Sequence, residues 1–277
     1  MKGTRWKRTL RHSLALLHRE LRITLTPVPS PRAWVFVVGC YNSGTTLLSD
    51  LLGRHSRISV LPEEGQFLTD ELTSDYEFGL PRMWTMREDR FRLTEEDRGP
   101  DPQRLKREWG MRLDLSRPIL VEKSPPNAAR TRWLQEHFEN AHFVAIVRNG
   151  YAVAEGIHRK GDPRHRQGWP IEACARQWAR SNEVLLEDSP LLRHLLWVRY
   201  EDLSARPREE LARITGFLEL DPDELAYDPD ERLAVHERHE PLRNLNEQSI
   251  ARLAPEDVAT ITRVAGPMLA HFDYAMR

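Results

Sequence analysis

Residues 35–48 read Val35-Phe36-Val37-Val38-Gly39-Cys40-Tyr41-Asn42-Ser43-Gly44-Thr45-Thr46-Leu47-Leu48, an apolar strand running into a glycine-bounded loop and then an amphipathic helix. Gly39 and Gly44 enclose four residues, the spacing of a Walker A loop, with the flanking strand and helix that such a loop requires. The lysine of that motif is missing. Position 45, from which it would reach the β and γ phosphates, is Thr45. Backbone N–H groups and a helix N-terminus can wrap a phosphate here without gripping a triphosphate tail. The stretch reads as a phosphate cradle and argues against an ATPase or GTPase.

Outward from the cradle, near-continuous apolar runs at 34–38, 119–121, 142–147 and 195–199 have the character of strands buried on both faces. Helical patterns lie between them at 45–54, 127–138, 150–159, 170–187 and 207–218. This alternation predicts an α/β fold: a P-loop-NTPase-like doubly wound sheet, mostly parallel, with helices on both faces and ligands at the carboxyl ends of the strands. Pro27, Pro29 and Pro31 set off residues 1–30, a basic amphipathic helix and linker, from a single domain over 31–277. Within it, residues 66–115, rich in Arg, Asp, Glu and Pro and without clean periodicity from 74 onward, read as an insertion or lid. Leu10, Leu14, Leu17 and Leu21 recur at helical spacing. A helix over 4–24 that packs on the domain is preferred to one resting on a membrane, because Trp6 is its one aromatic anchor. Its apolar run is too short to span a bilayer.

With 277 residues a substantial core is feasible. The net charge of -1 gives no field that would recruit nucleic acid, and the 36 arginines against 5 lysines suit anion-binding forks. Cys40 and Cys174 form neither a disulfide framework nor a CxxC pair. They imply a reducing, cytoplasmic setting, and the histidines show no metal spacing.

Three segments leave core strands at the same sheet edge as the cradle. In Glu122-Lys123-Ser124-Pro125-Pro126 the prolines stop the strand and aim Lys123 at the ligand edge; the alternative is a surface lysine paired with Glu122. In Val147-Arg148-Asn149-Gly150 a strand ends in an arginine suited to a bidentate phosphate contact, or to a structural salt bridge. In Val198-Arg199-Tyr200-Glu201-Asp202-Leu203, Tyr200 either faces a base or phosphate or belongs to a capping box before the helix at 207.

In combination, over residues 34–272, these segments resemble the sulfotransferase family that uses 3'-phosphoadenosine 5'-phosphosulfate (PAPS), with the EK-[ST]-P context of Lys123 similar to tyrosylprotein and related bacterial sulfotransferases. The resemblance implies that the loop Tyr41, Asn42, Ser43, Gly44, Thr45 and Thr46 wraps the 5'-phosphosulfate, with no metal. It implies that Arg148 and Tyr200 hold the adenosine 3'-phosphate part, that Lys123 acts beside the transferring group, and that PAP is the product. Asn246, Ser249 and the stretch from Pro267-Met268-Leu269 to Tyr274 also match. A glutamate of Pro62-Glu63-Glu64-Gly65-Gln66 would be the general base, Glu64 by its pattern and Glu63 by ungapped spacing. Two positions depart from the family: Asn42 replaces a cationic loop residue, and Gly156 replaces a serine on the 3'-phosphate. The run His158 to Arg166 is a candidate compensating anion site. The acceptor is a hydroxyl-bearing carbohydrate, lipid or small molecule, with peptide as a further class, and its pocket is expected from 66–115 and 160–170. The rival readings are a non-catalytic nucleotide-binding scaffold of the same fold and a P-loop kinase-like phosphotransferase.

Overall fold

The computed structural model describes residues 16–161, 168–228, 233–235, 238–240 and 242–277, the two three-residue segments by backbone alone. Residues 4–15 of the expected N-terminal helix and 162–166 of the basic run lie outside them. The strands are β1 (Ala33–Val38), β2 (Ile58–Val60), β3 (Ile119–Lys123), β4 (Ala141–Val147) and β5 (Leu195–Arg199), with a separate antiparallel pair, β6 (Leu233–Val235) and β7 (Arg238–Glu240). The helices are α1 (16–25), α2 (Thr45–Leu52), α3 (Glu88–Phe91), α4 (Pro102–Gly110), α5 (Thr131–His137), α6 (Gly150–Lys160), α7 (Ile171–Asp188), α8 (Tyr200–Ala205), α9 (Pro207–Phe217), α10 (Asn246–Ile250) and α11 (Pro255–His271).

The main sheet has the order β2-β3-β1-β4-β5, and each pair is parallel. Every residue of β1 is buried, and its alternation divides the core. Trp34, Phe36 and Val38 pack with Trp109, Trp133, Phe138 and Trp178 on one face. Val35 and Val37 pack with Leu48, Leu51, Leu203 and Leu211 on the other. Helices therefore cover both faces, as the alternation of apolar runs predicts. The 66–115 segment contributes Trp84, Phe91, Leu105 and Trp109 to the first cluster.

Three local differences from the sequence reading have simple causes. The edge strand β2 is three residues long with a polar centre, Ser59, too short to register as an apolar run. The helix expected over 127–138 is divided at Arg130, whose φ of -125° separates a 3-10 segment, Pro125–Ala129, from α5. Residues after β5 turn directly into α8, and Arg206 breaks from α9 because the residue before Pro207 is excluded from helical geometry. On α1, Ile23 is buried and Glu20 forms a two-pronged pair with Arg104 at 2.8 Å, whereas Leu17 and Leu21 are 57% and 52% exposed. Among the described residues no helix is long and apolar enough to cross a membrane.

Candidate active site

The cradle leaves β1 at Gly39, where φ is 153° and a Cβ would lie 2.4 Å from the Ile146 carbonyl oxygen of β4. Only glycine lets the loop pass this close to the neighbouring strand. Gly44 caps α2 at φ 103°, and a Cβ there would press on the Tyr200 ring at 3.0 Å. Between them Asn42 takes φ 62°, a left-handed conformation that asparagine tolerates better than most residues. Ser43 Oγ and Asn42 Nδ2 are buried and have no hydrogen-bond partner in the structure. Orphaned donors of this kind in a loop call for an acceptor-rich ligand. Cys40 is fully buried, and desolvation pushes its thiol up to about 12, so it takes no part as a nucleophile.

A cavity of about 910 Å³ opens on this loop and is lined by Tyr41, Asn42, Gly44, Thr45 and Thr46, but not by the fully buried Ser43. Glu64, Arg148, Gly156 and Tyr200 also line it. Glu64 Oε1 accepts a hydrogen bond from Lys123 Nζ at 3.2 Å, and Glu64 Oε2 accepts one from Gln66 Nε2 at 2.8 Å. Glu64, which lines the cavity, thus meets an ammonium 59 residues away in sequence, although Lys123 itself is not among the lining residues. Glu63 is exposed and outside the cavity lining. The lysine does not pair with Glu122. That residue is fully buried beneath the loop, where it accepts the Gly65 N–H at 2.9 Å and bonds from Ser124 Oγ and Asn127 Nδ2. Desolvation pushes the Glu122 carboxyl up to about 7. Gly65 has no room for a side chain, since a Cβ would lie 2.8 Å from both Glu122 and Trp109.

Arg148 is fixed from three sides. Its Nε donates to Asn246 Oδ1 at 2.8 Å, its Nη1 donates to the Asn42 carbonyl at 3.0 Å, and its guanidinium lies 4.2 Å from the centre of the Tyr200 ring. Partial burial lowers its pKa, desolvation being the main cause. The Tyr200 hydroxyl donates to the Arg243 carbonyl at 3.1 Å and accepts the Leu245 N–H at 3.3 Å, so its ring is a platform while its hydroxyl anchors backbone. Glu201 accepts the Asn149 N–H at 3.0 Å, Asn246 Nδ2 at 2.6 Å and the Tyr274 hydroxyl at 2.9 Å. Segments singled out separately in the sequence therefore share one hydrogen-bond network behind Arg148.

The two positions that depart from the expected pattern touch each other. A Cβ built on Gly156 would lie 3.3 Å from Asn42 Cγ and 3.4 Å from its Cβ, so the asparagine side chain occupies space that the glycine leaves. Of the basic run, Arg159 and Lys160 line the cavity. Buried Glu155 pairs with Arg159 at 2.8 Å and with Arg252, another lining residue, at 3.5 Å. Gln66, Glu155, Glu201 and Arg252 were not distinguished as site residues by sequence. Gln66 and Glu201 lie inside quoted segments whose other residues carry the pattern, and Glu155 and Arg252 meet only in the folded chain. Among the described residues no group of His, Cys, Asp and Glu is arranged to hold a metal ion.

A family model described as "Sulfotransferase family" matches residues 34–224. No curated protein matches the chain. Among solved structures, the sulfotransferase domain of the Synechococcus PCC 7002 olefin synthase is similar over 90% of this chain and 97% of that one, at 22% identity and a TM-score of 0.55. The sulfotransferase domain from the curacin biosynthetic pathway is similar over 91% and 100% of the two chains, at 20% identity and a TM-score of 0.52. A sulfotransferase from Alicyclobacillus acidocaldarius gives 89% and 97%, 14% identity and a TM-score of 0.51. These structural likenesses establish the fold. With the family match running from β1 through the cradle, Lys123, Arg148 and Tyr200, the chain belongs to the sulfotransferase family.

Proposed function

We propose that the chain transfers a sulfuryl group from PAPS to a hydroxyl of a small acceptor and releases PAP. The carrying observation is the 3.2 Å contact of Lys123 with Glu64, which lines a cavity whose floor is a glycine-bounded loop without the Walker lysine. The unpartnered Nδ2 of Asn42, a lining residue, and the side-chain-free approach at Gly39 and Gly44 fit a phosphosulfate held largely by backbone and small donors. In the transfer, the sulfur bond to the leaving phosphate oxygen breaks as the acceptor oxygen bonds to sulfur. The acceptor's proton passes to Glu64. Charge accumulates on oxygens around sulfur and on the leaving group, as in phosphoryl transfer, and Lys123 supplies the compensating cation. Arg148, on its Tyr200 platform, holds the 3'-phosphate. Arg159 and Arg252, clamped by Glu155, add positive charge to the same cavity. The free thiols of Cys40 and Cys174 suit a reducing compartment such as the cytoplasm.

Calorimetric titration with adenosine 3',5'-bisphosphate and with ATP tests the donor. The bisphosphate is expected to bind more tightly, and tighter ATP binding or no heat with the bisphosphate would sink the assignment. The neutral Asn42 favours a second reading, a scaffold that binds nucleotide without transfer. Bisphosphate binding without transfer to any of a panel of hydroxyl acceptors would support it.

A further inference from the structure

One wall of the cavity is unused by the transfer chemistry. Phe67 and Tyr76 line it while remaining 46% and 43% exposed, with their rings edge to face at a centroid distance of 5.5 Å. The Phe67 N–H donates to the Glu64 carbonyl at 2.9 Å, so this aromatic pair begins three residues from the proposed base. Large rings left open to a cavity are apolar surface that a bound ring would remove from water.

Beside Tyr76, the fully buried Asp75 accepts the backbone N–H of Arg82 at 2.6 Å. Arg82 stands at φ 67°, in the left-handed region that a residue with a side chain enters at a cost. Its Nη1 donates to the Gly161 carbonyl at 3.2 Å, beyond the end of α6, and the side chain lines the cavity. A glycine takes this backbone conformation without strain, so the turn by itself does not call for arginine. The arginine adds a guanidinium to the wall. Among the described residues Glu64 is the one acid lining the cavity, against six cations, Arg82, Arg148, Arg159, Lys160, Arg243 and Arg252; Arg82 is the one that shares the 66–115 segment with Phe67 and Tyr76, which makes it the cation for a group on a ring held there.

We propose that the acceptor is a phenol or other flat-ring alcohol that also bears an anionic group. Its ring lies against Phe67 and Tyr76, its hydroxyl is at Glu64, and its anion is on Arg82. The fate of that hydroxyl rests on the transferase reading, but the binding site does not. The volume of about 910 Å³ lies toward the upper end of the ~300–1,000 Å³ of small-molecule sites, enough for a nucleotide and a small acceptor side by side.

The test is calorimetric titration of the full chain, with and without adenosine 3',5'-bisphosphate. The probes are 4-hydroxyphenylacetate, 4-hydroxybenzenesulfonate, the neutral 4-hydroxyphenylacetamide and the ring-free 6-hydroxyhexanoate. The two anionic phenols are expected to bind about tenfold more tightly than either the amide or the ring-free acid, the scale of a charge-assisted hydrogen bond. Their relative affinities distinguish a carboxylate from a sulfonate-like anion. Arg82→Gly removes the cation and the backbone strain together. Its melting temperature should be unchanged or higher, while the preference for anion over amide falls to within about twofold; Arg82→Lys should keep part of that preference. Equal binding of acid and amide, no binding of any probe, or a preference that survives Arg82→Gly would overturn the proposal. So would a marked loss of melting temperature in Arg82→Gly, because the arginine would then be a structural latch. Anionic phenols bound without bisphosphate binding would remove the transferase reading and leave this site; bisphosphate binding without an anionic-phenol preference would do the reverse.

Discussion

At the scale of single residues, the neighbouring carboxylates Glu63 and Glu64 have unlike surroundings. Glu64 faces the cavity with both oxygens hydrogen-bonded, whereas Glu63 is exposed. Glu64→Ala should therefore lower sulfate transfer by roughly a hundred- to ten-thousand-fold, the usual contribution of general-base catalysis, and Glu63→Ala by no more than about threefold. Radiolabelled sulfate transfer to a responsive acceptor measures both. Equal losses would return the base to an open choice. Asn42 is legible in the sequence as a missing charge, but its reason is visible only in three dimensions. Its left-handed backbone and the space over Gly156 suit a short amide, so two departures far apart in sequence are one local packing arrangement.

At the scale of elements, the ends of strands place the chemistry, and buried groups beneath them set the loops. Glu122, near the end of β3, grips the 64–66 loop through the Gly65 N–H. Its carboxyl sits at about 7 in the folded chain against an ordinary 4.5, so between those values the native state keeps a proton that the unfolded chain has released. Its contribution to stability therefore falls as pH rises from about 4.5 to about 7 and is level above that. Asp75, raised to about 6 by desolvation, acts with the same sign. Glu122→Gln should flatten the fall of melting temperature between about pH 4.5 and about pH 7, the window between the ordinary and the raised value of this group. Parallel pH profiles for wild type and variant would show that Glu122 does not carry this dependence. The sequence showed Glu122 only as a neighbour of Lys123. Nothing local indicates which of two adjacent polar residues a strand end buries.

At the scale of the whole molecule, Glu201 joins the start of α6, α10 and the C-terminal Tyr274 behind Arg148. Glu201→Ala removes three hydrogen bonds at once. It should cost roughly 2–4 kcal/mol of stability in denaturant unfolding and weaken bisphosphate binding about tenfold by releasing Asn246 from the arginine. A variant of unchanged stability and affinity would separate this network from the nucleotide site. The sheet, its parallel sense and the position of the cradle are legible in the linear chain. Buried strands must be apolar, and a tight phosphate loop needs Gly39 and Gly44, so the constraints act on neighbouring residues. The edge strand β2, the division at Arg130, the pairing of Lys123 with Glu64 and the wall of Phe67, Tyr76 and Arg82 are not legible in this way. They depend on contacts between segments tens of residues apart, whose partners are selected by how the helices pack on the two sheet faces. Local patterning specified an α/β fold with a glycine-bounded loop at its sheet edge; long-range packing determined which carboxylate meets the cation and what lines the cavity beside it.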